Sequence, residues 1–518
     1  MFSLSEMKNE LIKITIIFFL ALLLAKSLNV AFTEPLSFDG SFNVQVSRSI
    51  ISGLGYSTSY NGLQYYNSIV QTGPTVILPI AINFLFFGIS FESAQLVNTF
   101  YLIGLAMAYV YYSRKCLNLR WEIVLVGLIV IIATPQIFNF GMGGYGEIPA
   151  LFFFQLFLIF LNKWYLKRKK IYWISSAFFA GLSVLTKTVL FLFVPSIIVS
   201  AVYFCISHNV TIKVISRSAA SWSLFFILPV ASFESAKLVK LGFDGYMTLF
   251  NSTGKAILQQ AGIISGFKDT VGIFNKIEIH LTWLSAYTGV SRWIILLGFV
   301  CFLLLTVILV LKRNHPYIPK ELYTPDVTIL ILTTLSYFGW WLMITPTWKA
   351  WHRRIFNGTV LSAISIPIVL ATLTEPIQPC QSMKRKSLYT VIVTIFLIGA
   401  FCWLCANSPL PLNSGDSKAK KSVLETARYV NSQLQPGVFY GYGWWQSPVI
   451  SFASGLNFYD LAKLDPTELE EDETNRYFIA DTYVNIYPGG VEEALGKFNS
   501  KLIYSNDGND IYLIVGQK

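Results

Sequence analysis

Charge is what this chain of 518 residues has least of. Only 13% of it is Asp, Glu, Lys or Arg, against about 25% in a typical soluble domain. Histidine is scarce as well, at four residues, and the six cysteines are scattered. None of the cysteines falls in residues 407–518, so no disulfide framework is indicated there. Cys402-x-x-Cys405 lies within an apolar run and reads as two small apolar side chains rather than a redox pair. There is no P-loop, no G-x-G-x-x-G at the end of a strand and no basic surface interleaved with aromatics. No nucleic-acid partner is expected, and a soluble nucleotide-sugar donor would not be expected outside the cytoplasm.

What the chain has in abundance is apolar surface: 54% of residues are hydrophobic and the mean hydropathy is +0.55. Runs near the ~20 residues needed to cross a bilayer recur along most of it. The first, Ile12–Leu24, lacks a small-residue cleavage site and reads as a retained span. The net charge of +11 is unevenly spread, with 9 Lys/Arg and 14 Asp/Glu in residues 407–518 against 30 and 14 in the rest. Placing the basic clusters inside gives eleven spans. They are about Ile12–Val30, Ala94–Tyr112, Ile123–Phe140, Ile148–Leu161, two flanking Lys187, Trp222–Phe233, Trp293–Leu311, Val327–Ile344, Val360–Leu373 and Leu388–Cys405. Thr72–Gly88 is apolar enough to span, but counting it would reverse the clusters that follow. Its Gly73, Pro74, Pro79 and Gly88 suit a broken juxtamembrane or re-entrant element on the outer side.

The expected architecture is an all-α polytopic membrane domain, residues 1–406, with a small extracytoplasmic α/β domain, residues 407–518. In the latter, Ser417–Leu434 and Val491–Phe498 read as helices. Val438–Tyr442, Arg476–Val484 and Asp510–Val515 read as strands. A first loop (Phe32–Glu92), a long loop (Glu234–Arg292) and the Pro346–Asn357 turn fall outside.

Four features on that outer side could carry chemistry. Asp39, in E-P-L-S-F-D-G-S-F-N, lies about nine residues past the first span with no cation nearer than Lys26 and Arg48. A carboxylate near the membrane surface can meet a water-borne substrate and act as a general base. Glu147 follows the glycine-dense G-M-G-G-Y-G at a helix start; the glycines allow close backbone approach. Lys187 interrupts an apolar stretch against positive-inside bias. Arg353-Arg354, in P-T-W-K-A-W-H-R-R-I-F-N, form a basic group at an outer helix N-terminus, where the dipole opposes cations. An anion should compensate, and guanidinium groups suit a phosphate. Arg48, Tyr145, His280 and His352 are supporting candidates. His280, read in the long loop, could join Asp39 and Glu147 around a divalent metal.

In this order and spacing the motifs resemble the GT-C glycosyltransferase superfamily, in particular the bacterial relatives of protein O-mannosyltransferases and of the lipid A aminoarabinose transferase. The stretches that carry the resemblance are S-R-S-I-I-S-G-L-G-Y-S (Ser47–Ser57), T-G-P-T-V-I-L-P, G-E-I-P-A, G-L-S-V-L-T-K and W-H-R-R-I-F-N. The resemblance implies an inverting enzyme with a polyprenyl-phosphate-linked sugar donor. The acceptor, a glycan, lipid or protein, would be met on the non-cytoplasmic face of a plasma membrane. It makes Asp39 the base and Glu147 the second acid, with Lys187 and Arg353 or Arg354 holding the donor phosphate. One departure stands out: Gly40 follows Asp39, where many members carry a second acid. The competing expectation is a transporter or flippase for a lipid-linked glycan, which a charged pathway lined across several spans would favour.

Overall fold

The computed structural model describes residues 4–300 apart from 71, 135–136, 209–211, 261–271, 289–290, 294 and 298. Beyond these it describes residue 303 and residues 324–343, 355–374, 416–441, 446–464, 474–481 and 490–517. In chain order the elements are α1 (Leu4–Thr33), α2 (Phe38–Ile51), β1 (Ser57–Thr58), β2 (Gln64–Tyr65), α3 (Pro74–Phe87), α4 (Phe91–Tyr111) and α5 (Trp121–Ala133). Then come α6 (Glu147–Lys167), α7 (Lys170–Thr186), α8 (Phe193–His208), α9 (Ile212–Gln260), α10 (Ile273–Thr288), α11 (Pro325–Met343) and α12 (Phe356–Thr374). The C-terminal part holds α13 (Lys418–Gln433), β3 (Gly437–Gly441), α14 (Ser447–Ser454), β4 (Phe458–Asp460), β5 (Asn475–Asp481), α15 (Gly490–Ala494), β6 (Phe498–Ser505) and β7 (Asn509–Gln517).

The protein is an integral membrane protein. Among the described residues three helices, Glu10–Thr33, Phe91–Cys116 and Glu147–Lys167, are long and apolar enough to cross a bilayer. The expected eleven spans include Leu388–Cys405 and most of Trp293–Leu311, which lie outside the described residues. At 14 residues, α3 reaches about 21 Å, short of the ~30 Å hydrocarbon core. It is one continuous helix rather than the broken element expected, with Pro79 inside it and Gly88 ending it at φ +80°.

Two compact units divide the chain. The first comprises Met1–Ala25, Phe100–Phe140 and Glu147–Leu410. Within it α6 and α7 lie antiparallel. Trp164 lies tilted against Trp173 at 4.2 Å, Phe160 stacks on Phe179 at 5.2 Å, and the Ser183 hydroxyl donates to the Ala150 carbonyl at 2.8 Å. α7 also packs against α9. A Cβ at Gly181 would meet the Phe226 carbonyl at 2.2 Å, so only glycine permits that approach.

The long loop expected from Glu234 to Arg292 is instead helical over much of its length. α9 continues to Gln260 with one non-helical residue, Gly242 (φ 70°, ψ 175°), and α10 follows. Charge ends the apolar run at Glu234 but not the helix, and Lys237 pairs with Glu234 at 2.7 Å one turn away.

The second unit comprises Lys26–Thr99, Gly141–Gly146 and Pro411–Lys518, so the first loop and the α/β segment fold together. Its sheet has the order β4-β3-β5-β7-β6. β3 pairs in parallel with β4 and β5, and the other pairings are antiparallel. Tyr440, Leu461, Phe478, Leu495, Phe498 and Ile514 form its core. The helix expected over Val491–Phe498 shrinks to Gly490–Ala494, and Phe498 opens β6. That strand is largely exposed, so it lacks the alternation that would mark it.

The centre of this unit is α2. Gln45 donates to the Pro448 carbonyl of α14 at 3.2 Å and accepts from Tyr60 N at 3.3 Å, while Ser47 donates to the Ile77 carbonyl of α3 at 2.9 Å. On α13, Lys420 pairs with Glu92 at 2.5 Å and Asp416 at 2.9 Å and donates to the Phe32 carbonyl, joining the ends of α1 and α4 to the C-terminal segment.

Candidate active site

The site is best built from Ser37. Its backbone is extended (φ −73°, ψ 168°) and its hydroxyl accepts from Gly40 N at 3.0 Å, which makes it the N-cap of α2. Asp39 is therefore set in the first turn, half-buried, where the helix dipole favours an anion.

The same Ser37 hydroxyl donates to the Gly143 carbonyl. That bond is one of a set. Four successive carbonyls of the turn Gly141–Gly146, from Met142 to Tyr145, each accept from a side chain of the second unit. Met142 O accepts from Asn98 Nδ2 at 3.2 Å, Gly144 O from Asn43 Nδ2 at 2.6 Å and Tyr145 O from Thr72 Oγ1 at 3.3 Å. Asn43 also donates to Thr72 Oγ1 at 3.0 Å, and Tyr56 donates to the Thr72 carbonyl at 3.2 Å.

Glycine is required here by conformation and by space. Gly144 and Gly146 have φ of +84° and +85°. Gly40 is itself part of this packing: a Cβ on it would lie 2.2 Å from the Gly143 carbonyl oxygen. The missing second acid therefore has a physical cause, since no side chain fits at position 40 while the turn keeps its place.

In the first unit, Glu147 opens α6 with Pro149 in its first turn. Lys187 ends α7 in an extended conformation (φ −150°, ψ 113°) before the 3-10 turn Thr188–Leu192. The β-branched Thr186, Thr188 and Val189 around it favour the break. The two side chains form an ion pair, Nζ to Oε1 3.5 Å, each about one-tenth exposed. Glu147 Oε2 is buried with no hydrogen-bond partner among the described residues. Two candidates 40 positions apart are thus brought together.

Other candidates fare differently. Arg48 is a fastener within the second unit. It donates to Ser59 Oγ at 3.2 Å and to the Phe452 carbonyl at 3.4 Å, and its guanidinium lies 5.6 Å from the Phe452 ring. Tyr145 is half-buried in the glycine turn, its contribution there being its carbonyl. His280 is on α10 and not in a loop. It is buried, its Nδ1 bonds the Lys276 carbonyl at 2.9 Å and its ring lies edge-on to Trp341 at 4.7 Å. That geometry ties it to its own helix and to α11, and no group of three or more His, Cys, Asp or Glu side chains converges for a metal among the described residues. His352, Arg353 and Arg354 lie outside the described residues. The sequence reading missed Ser37, Asn43, Thr72 and Asn98. Ser37 alone had a local signal, a capping residue just before Phe38 and Asp39.

No protein-family model matches the chain, and no curated protein matches it. Solved structures do. ArnT from Cupriavidus metallidurans bound to undecaprenyl phosphate superposes with a TM-score of 0.63 at 12% identity, over 96% of this chain and 97% of that one. The apo state of ArnT from the same organism gives 0.57 at 9% identity with the same coverage. From end to end, the chain has the GT-C fold of ArnT, the lipid A aminoarabinose transferase.

Proposed function

We propose that the protein is an inverting glycosyltransferase of the cell envelope. It moves a sugar from a polyprenyl-phosphate donor to a glycan, lipid or protein acceptor on the non-cytoplasmic face of the plasma membrane. The observation that supports this most is the GT-C fold, shared over nearly the whole chain with a protein solved with undecaprenyl phosphate bound.

In this reading residues 1–406 supply the transmembrane catalytic part and residues 407–518 the extracytoplasmic α/β part. Asp39 takes the proton from the acceptor hydroxyl. The oxygen then attacks the anomeric carbon opposite the phosphate, the carbon–oxygen bond to phosphate breaks, and polyprenyl phosphate leaves with the bonding pair. Such a base contributes about 10²–10⁴ in rate. Lys187, held by Glu147 at 3.5 Å, and Arg353 or Arg354 offset the charge on the leaving phosphate. The second oxygen of Glu147, buried and without a hydrogen-bond partner among the described residues, accepts a hydrogen bond from the incoming substrate. The Gly141–Gly146 turn and its donors hold the N-terminus of α2, and with it Asp39, in one place.

The test is reconstitution of the full chain in lipid with a panel of radiolabelled polyprenyl-phosphate sugars and cell-envelope acceptors. Lipid-dependent labelling of one acceptor class, with inversion at the anomeric carbon, is the expected result. Failure of every donor to bind or react would remove the reading.

A further inference from the structure

Inside the first unit, α6, α8 and α11 bury a band of polar side chains that sugar transfer does not use. One level of it is bonded across the helices, with only the Asn162 side-chain oxygen lacking a partner among the described residues. Asn162 Nδ2 on α6 donates to both carboxylate oxygens of Asp326 on α11 at 3.3 Å. The Tyr112 hydroxyl donates to Asp326 Oδ2 at 2.6 Å, and Ser200 Oγ on α8 donates to the Pro325 carbonyl at 3.5 Å.

Directions follow from the packing. Phe193, at the start of α8, lies against Phe154 and Phe157 of α6 at 5.5 and 5.6 Å, so the two helices approach the Asp326 level side by side. α11 begins at that level and packs back to the turn Thr188–Leu192 that precedes α8, so it runs the opposite way. Seven residues along either helix, about 10 Å at 1.5 Å per residue, α6 presents Gln155 and α11 presents Thr333 on the same stripes that meet at Asn162 and Asp326. Ser196 stands one turn up α8 from Ser200.

These three residues are 0%, 2% and 2% exposed for Gln155, Thr333 and Ser196. Neither amide atom of Gln155 has a hydrogen-bond partner among the described residues, nor does the hydroxyl of Thr333 or of Ser196. Buried polar atoms without partners are rare in folded proteins, and ordered water is their usual complement.

We infer that this level is a binding site for water: a small ordered cluster bridging Gln155, Ser196 and Thr333. An amide and two hydroxyls carry no net charge and both donate and accept, which matches water rather than a cation or a phosphate. The near-zero exposure of all three closes the level to a sugar, so it is no pathway for a glycan. Along α6 it lies between the two charged levels of the helix, Glu147–Lys187 at one end and Asn162–Asp326 at the other, and supplies polar contact between them. The inference stands whether or not the chain transfers sugar.

Hydroxyl-radical footprinting of the full chain in lipid nanodiscs tests it, because radicals formed from bound water label buried neighbours. Phe154, Phe157 and Phe193 are no more exposed than about 1%, as is Phe478 in the apolar core of the sheet. The first three are expected to label at least about threefold faster than Phe478, and the excess to vanish in Gln155→Leu/Thr333→Val. Equal labelling of all four in the native chain overturns the inference. So does an excess that persists in a folded double variant, since water would then lie elsewhere.

Discussion

α2 and α6 both bury polar side chains, and they complete them in opposite ways. On α2, Asn43, Gln45, Ser47 and Arg48 each bond a different partner, drawn from the glycine turn, α14, the first loop and α3. On α6, Asn162 is bonded through Asp326, but Gln155 two turns earlier has no protein partner among the described residues. The first arrangement fixes a helix from several sides, which suits a residue whose atoms must be held for proton transfer. The second leaves polar atoms of a buried amide without a protein partner among the described residues.

The comparison breaks most sharply at Gly40. Gly40→Asp would place a second acid beside Asp39, but its Cβ would lie 2.2 Å from the Gly143 carbonyl. Overpacking of this kind costs about 1–3 kcal/mol. A displacement of about 1 Å at Asp39 would cost roughly 100-fold in transfer. Transfer assay and thermal unfolding in detergent read both, and a variant with native activity would refute the packing account.

Next comes the ion pair. Glu147→Gln leaves Lys187 nearly buried beside a neutral amide, for an expected loss of about 2–3 kcal/mol. Adding Lys187→Met should restore much of that stability while raising the KM for the donor about tenfold. Additive losses in the double variant would mean the two side chains do not interact.

A smaller effect is expected at Asn43. Asn43→Ala removes its bonds to Thr72 and the Gly144 carbonyl, costing about 2 kcal/mol. If the turn positions α2 for catalysis, kcat falls with donor KM unchanged; a change confined to stability would reduce Asn43 to a purely structural role.

The smallest is a pH effect at Lys420. Burial alone would lower its ammonium, but bonds to Glu92 and Asp416 leave it above the 10.5 of an ordinary lysine. Its contribution is therefore complete below pH 10.5 and lost as pH rises through the folded value. Lys420→Met should flatten the alkaline fall of the unfolding midpoint, and an unaltered alkaline limb would argue against the ion pairs.

Much of this was legible in the sequence where the signal is local. The apolar helices, the helix start at Glu147, the break at Lys187 and the strands β3, β5 and β7 follow from hydropathy, proline and β-branched residues. What was not legible depends on distant partners. The residues Phe42 to Ser47 alternate apolar and polar, the period of a strand. The helix is completed by groups on the glycine turn, on α3 and on α14, the last some 400 positions away. The helix beyond Glu234 was not legible because hydropathy marks where an apolar run ends and not where a helix does. Gly40 looked like a lost acid because its neighbour, Gly143, is about a hundred residues on.

The most direct measurement is donor binding and sugar transfer by Asp39→Asn in reconstituted membranes. The account predicts unchanged donor affinity, unchanged unfolding and transfer lowered by about 10²–10⁴. Transfer within about threefold of the native rate would contradict it and remove Asp39 as the base.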